Sequence, residues 1–273
     1  EYVYPYGRVL DSYLSEHFAE GALEGYLLTG RHGLIHSYEA FIRVVDSMIG
    51  IHAKWLKMTK EIPWRAPISS LNIIETSHIW QQDHNGYTHQ EPGFINHILN
   101  KKKDIVEIYL PYDANSLIYF MDKCLKSKNK VNTIVASKHE RPQWLNYDET
   151  IKHCEKGIGI WDFASDENPE IILACAGDTP TLEVMAATSL IKEKSDIRVR
   201  VVNVVDLLSL ERISNEEFDN IFPKEIPVIF AFHGYKSAIE GLIYNRNKKF
   251  DIYGYEEEGA ITTPFDMRVL NKI

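Results

Sequence analysis

Six residues able to trade protons or hydrogen bonds, Asp83, His84, Asn85, Thr88, His89 and Gln90, fall inside the stretch WQQDHNGYTHQEPGF, Trp80 to Phe94. Imidazoles titrate near neutrality and can exchange protons there. Lys138, His139 and Arg141 follow a separate apolar run, and cations in that position suit a phosphate or a carboxylate. The spacing rules out several chemistries. His84 and His89 are separated by four residues, no third ligand has metal spacing and HExxH is absent, so the cluster does not read as a zinc site. No GxSxG elbow marks a hydrolase, and neither GRHG nor GIGIW makes a dinucleotide or P-loop fingerprint. Glu16, in LSEHF, is a further candidate, because a carboxyl in an apolar site has a raised pKa and can share a proton with a heterocyclic nitrogen. The plainer alternative makes the loop histidines solvated and Glu16 part of an exposed helix face. On residue types alone, an enzyme acting on a phosphorylated substrate is the reading that follows.

These side chains need elements to hold them. Leu10, Leu14, Phe18, Leu23 and Leu27 recur at helical spacing between about Val9 and Thr29, with Gly30 and Gly33 beyond. Ser37 reads as the N-cap of a second helix, YEAFIRVVDSMIGIHAKWLK, with Glu39 in its first turn. SSLNIIE reads as a strand ahead of the polar loop, GFINHILN as a helix, DIVEIYLP as a strand, DANSLIYFMDKCLKS as a helix capped by Asp113, and VNTIVAS as a strand. That order implies a parallel sheet covered on both faces, with ligands bound beyond the carboxyl ends of its strands. The pattern weakens and then resumes in EIILACA, GDTPTLEVMAATSLIKEK with Thr179 or Thr181 as cap, IRVRVVNVVDL, SNEEFDNIF, IPVIFAFHG, YKSAIEGLIYNR and DIYGY. The expected architecture is therefore α/β, with two three-layer domains of mostly parallel sheet: residues 1–147, a connection over 148–168, and residues 169–273. GDTPT, at a helix start, could hold an anion, and His233 is expected to be a hydrogen-bonded core histidine.

Bulk composition narrows the class. The 273 residues exceed a typical single core. A formal charge of −9 argues against a general nucleic-acid or anionic-membrane binder. Three widely spaced cysteines without a CxxC pair fit a reducing cytoplasm, and no run of 18 apolar residues exists. A start without Met and an end in mid-pattern suggest a piece of a longer protein.

The strings LSEHFAEGALEGYLLTGRHGLIHSYEAF, IPWRAPISSLNI, WQQDHNGYTHQEPGF and VNVVDL resemble the thiamine diphosphate-dependent phosphoketolases, which act on xylulose 5-phosphate and, in many members, fructose 6-phosphate. The resemblance spans essentially the whole chain. It implies a transketolase-like architecture, with a pyrimidine-binding domain followed by a C-terminal domain. It also implies that an N-terminal region, holding the cofactor's diphosphate and its Mg²⁺ or Ca²⁺, lies outside this chain, which would hold no metal itself. Residue by residue, it makes Glu16 the carboxyl that meets the pyrimidine nitrogen, and Tyr38 and Phe41 the aromatics that pack on the ring. His84, Asn85 and His89 become the polar set for substrate hydroxyls and proton transfer. Lys138 would meet the substrate phosphate. Lys60, where the family is expected to carry Arg, and Arg65 are further basic candidates, although a Lys lacks the bidentate fork. The implied reaction consumes a ketose phosphate and inorganic phosphate and yields acetyl phosphate, an aldose phosphate and water, in a cytoplasmic homodimer. Alternatives are a transketolase-type two-carbon transferase and a non-catalytic domain pair that completes a site on another chain.

Overall fold

The computed structural model describes residues 9, 13–259 and 261–273; Leu10, placed by its spacing on the first helix, lies outside them. Two sheets organise the chain. The first has four parallel strands in the order β1-β2-β4-β3: β1 (Ile35–Tyr38), β2 (Leu71–Thr76), β3 (Val106–Tyr109) and β4 (Val131–Val135). The second has five, ordered β5-β7-β6-β8-β9: β5 (Ile158–Ile160), β6 (Ile171–Ala176), β7 (Val199–Val204), β8 (Val228–Phe232) and β9 (Asp251–Tyr253). All pairings in it are parallel except β5 with β7. Helices α1 (Glu16–Leu28), α2 (Glu39–Ile42), α3 (Asp46–Lys60), α4 (Phe94–Leu99) and α5 (Ala114–Lys126) belong to the first sheet's part of the chain. Those that follow are α6 (Tyr147–Lys156), α7 (Asp178–Lys194), α8 (Ser209–Arg212), α9 (Asn215–Ile221), α10 (Lys236–Ile243) and α11 (Pro264–Leu270).

Buried β-branched residues account for the strands. β4 is buried along its whole length, as expected where helices cover both faces of a parallel sheet. Asp113 caps α5 through a reciprocal box with Ser116, as the sequence predicts, and Ser214 does the same for α9 with Glu217. Three expectations need correction. Ser37 is not an N-cap: it lies in β1, its hydroxyl donates to the Tyr38 carbonyl, and Tyr38 itself precedes α2. The reason is tertiary, since pairing with β2 draws residues 35–38 into the sheet edge. Neither Thr179 nor Thr181 caps α7, which starts after Gly177 at φ 111°; the Thr181 hydroxyl donates back to the Gly177 carbonyl. Residues 148–168, expected as a connection with a short helix after Asp148, hold most of that helix as α6 but also the unforeseen β5, which forms the antiparallel edge of the second sheet.

The two sheets share their packing. One hydrophobic cluster contains Ile73 and Ile108 together with Val202, Val204 and Phe232. The Leu110 amide donates to the Val205 carbonyl at 2.8 Å, and the Leu207 amide to the Ile108 carbonyl at 3.0 Å. Both sheets therefore turn the carboxyl ends of their central strands toward one junction.

Of the apolar face expected for this helix, Leu23 and Leu27 are buried on α1, while Phe18 and, ahead of the helix, Leu14 are exposed. The same helix buries Glu20 completely. Burial, reinforced by the neighbouring Glu24, pushes the Glu20 carboxyl up to about 8. The folded chain then keeps this proton between about pH 4.5 and 8, where an unfolded chain has lost it, so stability falls as pH rises through that window. Glu20→Gln is expected to stabilise the protein at pH 8 by about 1 kcal/mol, a melting-temperature rise of about 2–4 °C at this size, and to change little at pH 4. Thermal melts at both pH values check this; an equal shift at both would mean that packing rather than charge is responsible.

Candidate active site

The polar loop follows β2 and is held from beneath by amides. Gln81 donates from Nε2 to Ser137 Oγ at 2.7 Å and accepts the Lys138 amide at 3.1 Å, which ties the loop to the end of β4. Gln82 donates to the Ser77 carbonyl at 2.7 Å, and the Gln90 side chain donates to the Gln82 carbonyl at 2.9 Å. All three glutamines are buried. Gly86, at φ 72°, turns the chain between them. Sequence reasoning passed over Gln81 and Gln82, although a buried amide pair beside a turn is what such a loop needs to satisfy its backbone.

On this frame the predicted residues divide. Tyr38 ends β1 and stacks on Phe41 of α2, with ring centroids 5.7 Å apart and planes within 8°. His89 meets both, at 5.0 Å from Phe41 and 6.3 Å from Tyr38. Its Nδ1 is 2.9 Å from the Thr88 hydroxyl. Tyr38 is 39% exposed, so one edge of this cluster is open. His84 and Asn85 are exposed on the same loop, where the Asn85 amide donates to Gln82 Oε1 at 2.6 Å. Lys138, just beyond β4, reaches Ser77 Oγ at 3.2 Å, so it stands over the start of the loop. His139, next to it, is lowered by its partial burial and by the adjacent Lys138 and Arg141 cations. Glu16 is the first residue of α1 and half-buried; the cap of that helix is Ser15, which leaves the Glu16 carboxyl unneeded for capping.

Two candidates are not gathered here. Lys60 pairs with Asp104 at 3.0 Å, and the Arg65 guanidinium sits 4.4 Å over the Trp55 ring. Both line a cavity of about 100 Å³ with Ile68 and Asn129, which precede β2 and β4, so they occupy the amino edge of the sheet. The start of α7, which the sequence offered as a place for an anion, holds the protein's own carboxylate instead. Asp178 accepts from Arg141 Nε at 2.7 Å and lies 2.9 Å from His78 Nε2. Burial opposes its ionisation, but the neighbouring His78 and Arg141 side chains outweigh that and hold the carboxyl well below the usual range. His233 is fully buried and bonded, as expected, with Nε2 2.7 Å from Glu39 Oε1. The other Glu39 oxygen accepts the Ile79 amide at 2.7 Å, and Trp80 donates to the His233 carbonyl at 2.8 Å. Glu75, also fully buried, is raised well above the usual carboxyl range by burial and then by Glu39. Glu39, Glu75, His78 and Asp178 give no local sequence signal, because their partners come from other loops.

Residues 1–127 match the family model described as D-xylulose 5-phosphate/D-fructose 6-phosphate phosphoketolase, and residues 138–273 match the C-terminal domain model of the same family. A probable phosphoketolase of Nitrosomonas europaea is 56% identical over 99% of this chain and 36% of its own length. One from Clostridium acetobutylicum is 54% identical over 98% of this chain and 35% of its own length. The chain thus spans about a third of the curated relatives that it matches. Transketolase from Leishmania mexicana superposes with a TM-score of 0.68 at 15% identity, over 88% of this chain and 32% of that one. A split-gene transketolase, described as an inactive β4 tetramer, superposes at 0.65 with 16% identity, over 94% of this chain and 77% of that one. At these identities the likeness is one of fold.

Proposed function

Because the chain belongs to the D-xylulose 5-phosphate/D-fructose 6-phosphate phosphoketolase family, we propose that it carries the pyrimidine-binding and C-terminal parts of a phosphoketolase, which converts a ketose phosphate and inorganic phosphate to acetyl phosphate, an aldose phosphate and water. The observation that carries this reading is the grouping of Tyr38, Phe41 and His89 at an open edge beside the loop of His84 and Asn85. Two parallel rings at an open edge fit a flat heteroaromatic ring, and a half-buried carboxyl at a helix start fits its ring nitrogen. When bound, thiamine diphosphate supplies the carbanion and electron-sink chemistry for cleaving a carbon–carbon bond beside a carbonyl.

The chain's own residues then have distinct tasks. Tyr38 and Phe41 orient the pyrimidine, and Glu16 holds a proton at its nitrogen. His89, steadied at Nδ1 by Thr88, uses its other ring nitrogen to pass a proton to the departing substrate hydroxyl. His84 and Asn85 contact substrate hydroxyls or phosphate, and Lys138 supplies positive charge for the phosphate as a point cation. The diphosphate and its Mg²⁺ are assigned to the remaining length of the relatives, in a cytoplasmic homodimer. A second reading, in which this domain pair completes a site shared with a separate chain, draws on its coverage of 77% of the split-gene transketolase.

An assay with xylulose 5-phosphate, inorganic phosphate, thiamine diphosphate and Mg²⁺ tests both readings, with acetyl phosphate trapped as hydroxamate. Product is expected when the domain pair is joined or mixed with the rest of the relatives' length. Product only on mixing favours the shared site. Two-carbon transfer to an added aldose without acetyl phosphate would overturn the phosphoketolase reading in favour of a transferase.

A further inference from the structure

Away from the loop of His84 and His89, three donors meet at the junction of the two sheets. His78 lies beyond β2, Asp178 beyond β6 and His233 beyond β8. One ring nitrogen from each histidine and one carboxylate oxygen of Asp178 all lie within 4.8 Å of one another, and all three residues are buried. Their hydrogen bonding is incomplete in a matched way. Neither ring nitrogen of His78 has a hydrogen-bond partner among the described residues, and neither does His233 Nδ1. His78 Nε2 is 2.9 Å from Asp178 Oδ1, yet off the line that an N–H···O bond requires. With metal–donor bonds of about 2.0–2.2 Å, donors at right angles around one ion sit about 3 Å apart, which matches that separation. Buried unpaired nitrogens are costly, so several at one point call for a ligand.

The surroundings have the form of an outer ligand shell. His233 directs Nε2 at Glu39 Oε1, 2.7 Å away, which leaves Nδ1 as its free donor. Histidines that bind metals commonly place their other ring nitrogen against a carboxylate in this manner. Asp178 likewise commits Oδ2 to Arg141, at 2.7 Å, and turns Oδ1 to His78. Asp178 and Arg141 also border a cavity of about 290 Å³, which Ser137 and His139 help to line.

We propose that His78, Asp178 and His233 form a site for one divalent transition-metal ion, which clamps the loop after β2 to the second sheet. Two imidazoles and one carboxylate select an ion such as Zn²⁺, Co²⁺ or Fe²⁺ over Mg²⁺ or Ca²⁺. The site does not depend on the reading of the loop.

Cobalt is the probe for the test, because its visible d–d absorption reports the ligand set. Chelator-treated protein titrated with Co²⁺ is expected to take up one tight equivalent, with two imidazoles in its X-ray absorption spectrum. Glu39→Gln keeps every ligand and is expected to weaken binding about 10–100-fold, whereas His233→Gln loses the tight equivalent. Cobalt bound as tightly by folded His233→Gln as by the unaltered protein would overturn the site. Where that variant does not fold, the spectrum of the unaltered protein decides: two imidazoles on a stoichiometric ion support the site, and fewer, or no tight equivalent, overturn it.

Discussion

Glu16→Gln is expected to lower acetyl phosphate formation about 10²–10⁴-fold, in a chain extended to the relatives' full length, while leaving the melting temperature within a few degrees. Glutamine keeps the shape of the side chain and loses its ability to hold a proton as a carboxyl does. Structure predicts the small effect on stability. Glu16 starts α1, but Ser15 makes the cap by accepting the Phe18 amide at 3.3 Å. What Glu16 adds to the fold is therefore its charge at the positive end of the helix, worth about 0.3–1 kcal/mol. Hydroxamate trapping measures the first effect and a thermal melt the second. A folded variant that retains half its activity would remove Glu16 from the chemistry, and a variant that unfolds would assign it to the scaffold instead.

The largest loss of stability is expected from Asp178→Asn, at about 3–5 kcal/mol, because breaking a buried ion pair leaves its partner's charge uncompensated. Asp178 is nearly inaccessible and faces both the Arg141 guanidinium and His78. The substitution keeps the volume, so the cost isolates the charge. A depressed carboxyl pKa contributes stability that is present above the unfolded value, near pH 4, and is lost as pH falls toward the folded value. The variant should thus differ most from the unaltered protein near neutrality, and the two should converge in strong acid. Urea unfolding at pH 7 and near pH 3 measures the difference. A gap of the same size at both would assign the loss to packing.

Much of the fold was legible because hydrophobic period and caps are local. Asp113 and Ser214 announce helix starts, and β2, β3, β4, β6, β7 and β8 stand out as β-branched runs. What escaped is decided by pairing at a distance. β1 is four residues long, and only its register against Ile73–Thr76 makes it a strand. β5 is three residues long and exists by pairing with β7. The candidate site divides in the same way. Resemblance picked out Tyr38, Phe41 and His89, which the fold brings together, along with Lys60 and Arg65, which it carries to the opposite edge of the sheet. The network of Glu39, His78, Asp178 and His233 had no spacing to read, since its Glu39–His233 link joins residues 194 positions apart.

The glutamine frame beneath the loop has a consequence for how pH acts on this protein. Gln81, Gln82 and Gln90 carry amides, which neither gain nor lose charge across the range in which imidazoles do. The mount is therefore indifferent to acidity. The bonds that shape the loop run between amides, a hydroxyl and backbone groups, and none of these changes charge near neutrality. A pH–rate curve for this site should then carry no contribution from a change of charge in the frame that shapes its loop.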